Sequence, residues 1–205
     1  AGKVRGIVET ESGEALPKDL TLFFEFLGDS SRPASPEPVL VLPDGSFLLE
    51  NVAAGDRRMM AGLPNESGHY VVSTTAGGND LSETPLRVVE DAEAGVVRVL
   101  ISSRFATVSG TVTGDGVSGD NVVVLVPFEA AKQRFRVAYT AAQTAADGSF
   151  TARVAPGKYR ILARRRDSLP PVITSELIRS LADNIETLIL VAEEPKTVRL
   201  RLSQR

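Results

Sequence analysis

The sequence predicts an all-β chain folded as two tandem antiparallel β-sandwich domains, with one short helix in the second. Three observations carry this expectation. Apolar and polar residues alternate in short runs, as in Leu20-Thr-Leu-Phe-Phe-Glu-Phe26, the period of half-buried strands. Gly, Pro, Asp and Asn gather between the runs, where turns need them. The pattern also occurs twice. Val4-Arg-Gly-Ile-Val8 and Val108-Ser-Gly-Thr-Val112 lie 104 residues apart, Asp44 and Asp147 lie 103 apart, and Gly55 and Gly157 lie 102 apart. An offset of about a hundred residues is a whole domain rather than a solenoid repeat, which gives domains 1–104 and 105–205.

In chain order, Lys3 to Thr10 is a first strand closed by Glu11-Ser-Gly-Glu14. Leu20 to Leu27 is the second, with Leu20, Leu22, Phe24 and Phe26 on one face. Pro33, Pro36 and Pro38 each lack a ladder N–H, so Arg32 to Pro38 reads as an extended loop. Val39–Leu42 and Ser46–Glu50 are expected to pair as a hairpin about Pro43-Asp-Gly45. Arg58–Ala61, Gly68–Thr74, Pro85–Val89 and Val96–Ile101 supply the remaining strands, with a glycine-rich turn at Ala76–Asp80. Ser102 to Phe105 forms the boundary without a Pro/Gly-rich linker, so the domains are expected to abut.

In the second domain Ala106–Thr113 and Asn121–Pro127 flank the Gly114–Gly119 turn, and Phe135, Val137 and Tyr139 mark a further strand. Asp147-Gly-Ser-Phe150 opens Thr151–Val154, and Pro156-Gly157 is expected to turn it back as a hairpin through Tyr159, Ile161 and Ala163. Thr174 to Asp183 reads as a helix, with Thr174 as N-cap and Leu177, Ile178 and Leu181 on one face. Ile185–Val191 and Thr197–Leu202 are expected to form a closing hairpin around Glu193-Glu-Pro195. There Val198, Leu200 and Leu202 point inward, and Arg199 and Arg201 outward.

The combination of a Val-x-Gly-x-Val first strand, Asp-Gly-x-Phe and Pro-Gly-x-Tyr resembles the carboxypeptidase regulatory-like domain. That family stands with the transthyretin-like and collagen-adhesin B-type β-sandwiches. Val108–Val112, Asp147-Gly-Ser-Phe150 and Pro156-Gly-Lys-Tyr159 carry the likeness in the second half. The first half departs at Ala54-Gly-Asp-Arg57, which stands where Pro-Gly-x-Tyr is expected. These motifs are turn and core residues, so they specify a fold and bring no chemistry. The resemblance implies a non-catalytic structural or interaction module of a larger exported bacterial protein, extracellular or periplasmic. Its partners would be other domains of the same polypeptide or a cell-surface protein. The alternative is a carbohydrate-binding accessory module.

Composition narrows the chemistry further. With 42% hydrophobic residues but only 5% aromatic and no Trp, the cores are built from Val, Leu, Ile and Ala. The absence of cysteine excludes disulfides, thiol nucleophiles and thiolate-held zinc. The longest apolar runs, such as Val122–Val126, are strand-sized and predict no transmembrane segment. A start at Ala1-Gly2 predicts a processed or trimmed terminus. Residues 1–104 carry 9 basic and 16 acidic side chains, and residues 105–205 carry 14 and 10, so the halves differ in sign. This predicts packing of Glu90, Asp91 and Glu93 toward Arg164–Arg166 or the Arg134/Arg136 strand.

His69 is the only imidazole, and Ser67, His69 and Asp80 are the one conceivable triad. No nucleophile elbow surrounds them, and the reading is a surface or strand-edge histidine. Gly114-Asp-Gly-Val-Ser-Gly-Asp-Asn121 lacks the ligand spacing of a calcium loop. The Lys–Asn isopeptide of adhesin domains is not expected, because the strand matching that of Lys3 has no lysine. No cofactor or metal is expected. The candidate ligand or interface surface is Tyr139, Phe128 and the basic run Arg164, Arg165 and Arg166, with a glycan as a candidate ligand. Nothing interleaves aromatics with bases as a nucleic-acid surface does, so no nucleic acid is expected.

Overall fold

Among the described residues the alternating runs become strands, and the chain divides into two units, Ala1–Ser103 and Arg104–Arg205. The computed structural model describes residues 1–27, 38–128, 140–168 and 186–203. Residues 32–37 of the expected proline loop, the expected strand at Phe135, Val137 and Tyr139 and the expected helix Thr174–Asp183 lie outside the described residues, whereas Pro38, expected in that loop, opens a short edge strand opposite Phe23.

Unit 1 contains β1 (Gly2–Thr10), β2 (Thr21–Leu27), β3 (Pro38–Leu40), β4 (Ser46–Val52), β5 (Gly55–Gly62), β6 (Tyr70–Ala76), β7 (Asn79–Asp80), β8 (Leu86–Val88) and β9 (Glu93–Ser102). They form two sheets, in the orders β4-β1-β9-β6-β7 and β3-β2-β5-β8. Val4, Phe47 and Val97 from the first sheet and Leu22, Phe24 and Met59 from the second share one buried core. Unit 2 contains β10 (Ala106–Thr113), β11 (Asn121–Pro127), β12 (Thr140–Gln143), β13 (Ser149–Val154), β14 (Gly157–Arg165), β15 (Glu186–Leu190) and β16 (Pro195–Arg201). Its sheets run β13-β10-β16 and β12-β11-β14-β15. Val108, Phe150 and Leu200 meet Val123, Leu125 and Ile161 in the second core.

Both units are β-sandwiches, and two local expectations are corrected. The first and last strands of each unit pair in parallel, β1 with β9 and β10 with β16, so neither sheet containing them is wholly antiparallel. The three expected hairpins are also not hairpins. β3 and β4, β13 and β14, and β15 and β16 each lie in opposite sheets. A hairpin sets its strands side by side. Here Phe150, Ala152 and Val154 before the Pro156-Gly157 turn, and Tyr159, Ile161 and Ala163 after it, bury into one core from two layers.

The motifs explain this geometry. Gly6 lies opposite Phe47 and Gly110 opposite Phe150 in the β1–β4 and β10–β13 pairings. A Cβ on Gly6 would run into the Phe47 ring, and one on Gly110 into the Val198 carbonyl and toward Phe150. The glycine of Val-x-Gly-x-Val is therefore the floor on which the phenylalanine of Asp-Gly-Ser-Phe packs. Gly45 and Gly148 take φ of 85° and 80°, which a side chain would strain. Their carbonyls accept the Val8 and Val112 N–H groups at 2.8 and 2.9 Å, which ties each turn to the first strand of its unit.

Candidate functional site

The basic run Arg164–Arg166 does not act as a patch, because consecutive strand residues point to opposite faces. Arg164 is only 5% exposed and sits opposite Val122, on the side of β14 away from the core. Its Nε has no hydrogen-bond partner among the described residues, and burial lowers its pKa from the ordinary arginine value. Arg165 is exposed and pairs with Asp167 at 3.3 Å. Arg166 begins a short 3-10 turn, gives its main-chain N–H to the Asp120 carbonyl and reaches Gln143 Oε1 with its guanidinium. Tyr139 lies outside the described residues. Phe128 is 41% exposed, but Lys158 Nζ stands 4.0 Å and the Arg160 guanidinium 4.9 Å from its ring centre. The ring thus already makes cation–π contacts with two neighbouring side chains of β14.

The triad residues are tied up locally. His69 Nδ1 lies 2.9 Å from the Ser67 carbonyl, and Nε2 lies 3.7 Å from a Glu14 carboxylate oxygen. The Ser67 hydroxyl is turned to the His69 main chain, at 3.1 Å from its carbonyl and 3.2 Å from its nitrogen. Asp80 accepts the Ser82 N–H at 2.8 Å. The hydroxyl is thus engaged with backbone rather than poised against the imidazole. In the Gly114–Asn121 loop the carbonyls of Ser118 and Gly119 accept Thr144 Oγ1 and Gln143 Nε2 at 2.7 and 2.8 Å. Oxygens that a calcium ion would need are spent on protein donors. Among the described residues no group of three acidic or imidazole side chains could hold a metal, and no helix is long and apolar enough to cross a membrane. An open groove of about 290 Å³ beside the β6–β7 turn includes Asn79, Thr84 and Arg87, and Arg87 already pairs with Asp56.

The outer faces of the two β1-type sheets differ in a way the motifs do not announce. On unit 1, three exposed ion pairs cross the strands: Lys3–Glu50, Arg5–Glu93 and Arg98–Glu9, at 3.0, 2.8 and 3.0 Å. On unit 2 the core takes the even positions of β10, β13 and β16, which leaves the odd ones outside. Register then places Thr107 between Arg153 and Pro195, Ser109 between Thr151 and Thr197, and Thr111 between Ser149 and Arg199, with Arg201 beside Thr113. Among the described residues the outward positions of these three strands carry hydroxyls and three arginines and no acid. Arg153 lies over Phe105 at 4.7 Å. Arg199 and Arg201 form no ion pair or side-chain hydrogen bond among the described residues. Sequence reading set Arg199 and Arg201 facing out. It missed the face, because only the register brings three distant strands together.

No protein-family model matches the chain, and no curated protein does. Solved structures show similarity of low degree. The minor pilin GBS52 of Streptococcus agalactiae is 7% identical with a TM-score of 0.43, covering 98% of this chain and 95% of that one. A streptococcal ancillary pilin is 12% identical with a TM-score of 0.39, covering all of this chain and 63% of its own. The TIE protein of Bacillus anthracis is 13% identical with a TM-score of 0.31, and the 99% of this chain that matches spans only 33% of it. Likenesses of this size assign the chain no role.

Proposed function

We propose that the chain is a non-catalytic structural and interaction module of a larger exported bacterial protein, facing other domains of its polypeptide or a cell-surface partner. One observation carries this reading. The side chains of the one conceivable triad are engaged with nearby main chain, as with Ser67, whose hydroxyl lies 3.1 Å from the His69 carbonyl. The Asp44 and Asp147 carboxylates likewise accept the Ser46 and Ser149 N–H groups, both at 2.9 Å. The exported context and the carboxypeptidase regulatory-like kinship rest on the resemblance of the motifs.

The test is to incubate the pure chain with ester, amide and glycoside substrates, with and without added Zn²⁺ and Ca²⁺. The expected result is no turnover above that of His69→Ala. Turnover that His69→Ala abolishes would overturn the reading. A glycan array run beside it is expected to be blank, and a reproducible saccharide hit lost in Tyr139→Ala would favour a carbohydrate-binding module instead.

A further inference from the structure

Asp-Gly occurs three times in the chain, at Asp44-Gly45, Asp115-Gly116 and Asp147-Gly148. The dipeptide is chemically labile wherever the backbone can close on the side chain. The glycine nitrogen then attacks the aspartate Cγ, and the missing Cβ leaves its approach unhindered. Two of the three copies are held against that closure in the same way. The Gly45 and Gly148 N–H groups donate to the Leu42 and Ala145 carbonyls at 2.8 and 2.9 Å, so neither nitrogen is free to swing. The Asp44 and Asp147 carboxylates accept the Ser46 and Ser149 N–H groups, both at 2.9 Å. A Cβ built on Gly45 or Gly148 would also stand only 2.7 or 2.5 Å from the Val8 or Val112 carbonyl oxygen.

Asp115-Gly116 has none of these restraints among the described residues. Both residues are exposed in the turn between β10 and β11. Gly114 and Gly116 take φ of 125° and 81°, and nothing lies within 4 Å of where a Gly116 Cβ would stand. The hydrogen bonding of the pair among the described residues is one long contact, from Asn121 Nδ2 to the Gly116 carbonyl at 3.5 Å. The loop is anchored further on, where Thr144 Oγ1 and Gln143 Nε2 reach the Ser118 and Gly119 carbonyls at 2.7 and 2.8 Å. The freedom therefore lies ahead of Ser118.

We propose that Asp115 is a site of spontaneous covalent modification, at which the folded chain converts aspartate to isoaspartate while Asp44 and Asp147 are protected by their turns. The Gly116 nitrogen attacks Cγ of the carboxyl in its neutral form. A bond forms between N and Cγ, the amide proton and the carboxyl hydroxyl leave together as water, and a five-membered succinimide results. Water then adds to one of the two imide carbonyls. Breaking the bond from N to Cγ restores aspartate. Breaking the bond from N to the Asp115 main-chain carbonyl carbon leaves Gly116 linked through the side chain. One water is lost and one regained, so the mass is unchanged and no oxidant is needed. The product carries one extra methylene in the main chain between β10 and β11, with a free carboxylate beside it. Each of the three aspartates is followed by glycine, so the fold and not the dipeptide sets the difference. At Asp44 and Asp147 at least two hydrogen bonds must break before the ring can close, which slows the step at least about tenfold.

The modification needs no partner, so it holds whether or not the chain is an interaction module. The test is to keep the full chain at neutral pH and physiological temperature for weeks and to digest samples along the way. Isoaspartate at the three positions is quantified by peptide mass spectrometry with electron-transfer fragmentation. Methyl transfer from labelled S-adenosylmethionine by an isoaspartyl methyltransferase checks the total. Isoaspartate is expected at Asp115 at least about tenfold faster than at Asp44 or Asp147. In concentrated urea the three rates should converge, because the turns that protect two of them are gone. Asp115→Glu keeps the charge and is expected to remove the methyl-transfer signal of the folded chain. Equal rates at the three positions of the folded chain overturn the proposal. So does a folded chain in which Asp115 stays intact while urea releases all three, since its turn would then protect it as well. A preference for Asp115 that persists in urea also overturns it, by placing the selectivity in the sequence rather than in the fold.

Discussion

Unit 1 and unit 2 close the same corner between their sheets with different side chains. In unit 2 Tyr159, 7% exposed, gives its hydroxyl to the Ala155 carbonyl four residues back at 2.8 Å. In unit 1 Arg57 stands at the matching position and gives Nε to the Ala53 carbonyl, also four residues back, at 2.9 Å. Its Nη2 reaches Ala54 at 2.8 Å. The corner leaves carbonyls that need a donor, and a phenol or a guanidinium serves. What the repeat preserves is thus the direction of the chain and the demand of its backbone, while the side chain meeting that demand is free to change. The outer faces teach the complement. Where nothing in the backbone makes a demand, unit 1 pairs its charges across the strands, and unit 2 leaves Arg199 and Arg201 without an ion pair among the described residues.

The glycine floor is where the two units must agree most closely, so it should give the largest effect. In Gly110→Ala the new Cβ meets the Val198 main chain, which cannot move without disturbing the β10–β16 ladder. In Gly6→Ala it meets the Phe47 ring, which can turn, although the Val97 carbonyl stands only 2.6 Å away. Overpacking of this kind costs about 3 kcal/mol. Amide exchange read unit by unit should show Gly110→Ala opening unit 2, and Gly6→Ala opening unit 1 by a smaller margin. Equal and small effects in both would mean the strands separate easily, and the shared motif would lose its explanation.

That floor also marks what sequence could and could not say. Strand positions and buried faces were legible, because alternation records which side of a strand meets the core: Leu22 and Phe24 are buried as their spacing requires. The neighbour of each strand was not, because alternation is the same whether the chain turns back beside itself or crosses to the other layer. Pro156-Gly157 therefore read as a hairpin and is a corner. The parallel pairing of β1 with β9 depends on residues about ninety positions apart and leaves no local trace. At the candidate surface, Arg164–Arg166 reads as one patch in the sequence because the three are adjacent in the chain. The strand splits it, burying Arg164 while exposing Arg165.

A middle-sized effect sharpens the corner comparison. Tyr159→Phe keeps the ring and removes one hydrogen bond to a sheltered carbonyl, a loss of about 1 kcal/mol in unit 2. Arg57→Met removes donors from carbonyls that water can reach, so unit 1 should lose less, about 0.5 kcal/mol. Chemical denaturation followed by resolved amide signals from each unit measures both. A larger loss for Arg57→Met would show that the guanidinium does more than stand in for the phenol.

The smallest effect concerns the two Asp-Gly turns, and its sign follows from hydrogen bonding. Asp44 Oδ1 accepts the Ser46 hydroxyl at 2.7 Å and its N–H at 2.9 Å, and both lower the carboxyl pKa. At Asp147 the Ser149 hydroxyl and N–H lower it in the same way, the N–H from 2.9 Å. A carboxyl whose folded pKa lies below its unfolded value stabilises the fold above the unfolded pKa, near 3.9, and loses that contribution as pH falls through the folded one. Asn at either position keeps an acceptor oxygen but carries no charge. The melting temperature of the parent should therefore exceed that of Asp44→Asn/Asp147→Asn near neutral pH, and the gap should close between about pH 5 and pH 2. Both carboxyls are fully exposed, so water screens them and the gap should stay small. A gap independent of pH would show that the turns need only an acceptor oxygen, and that the negative charge common to both units is idle.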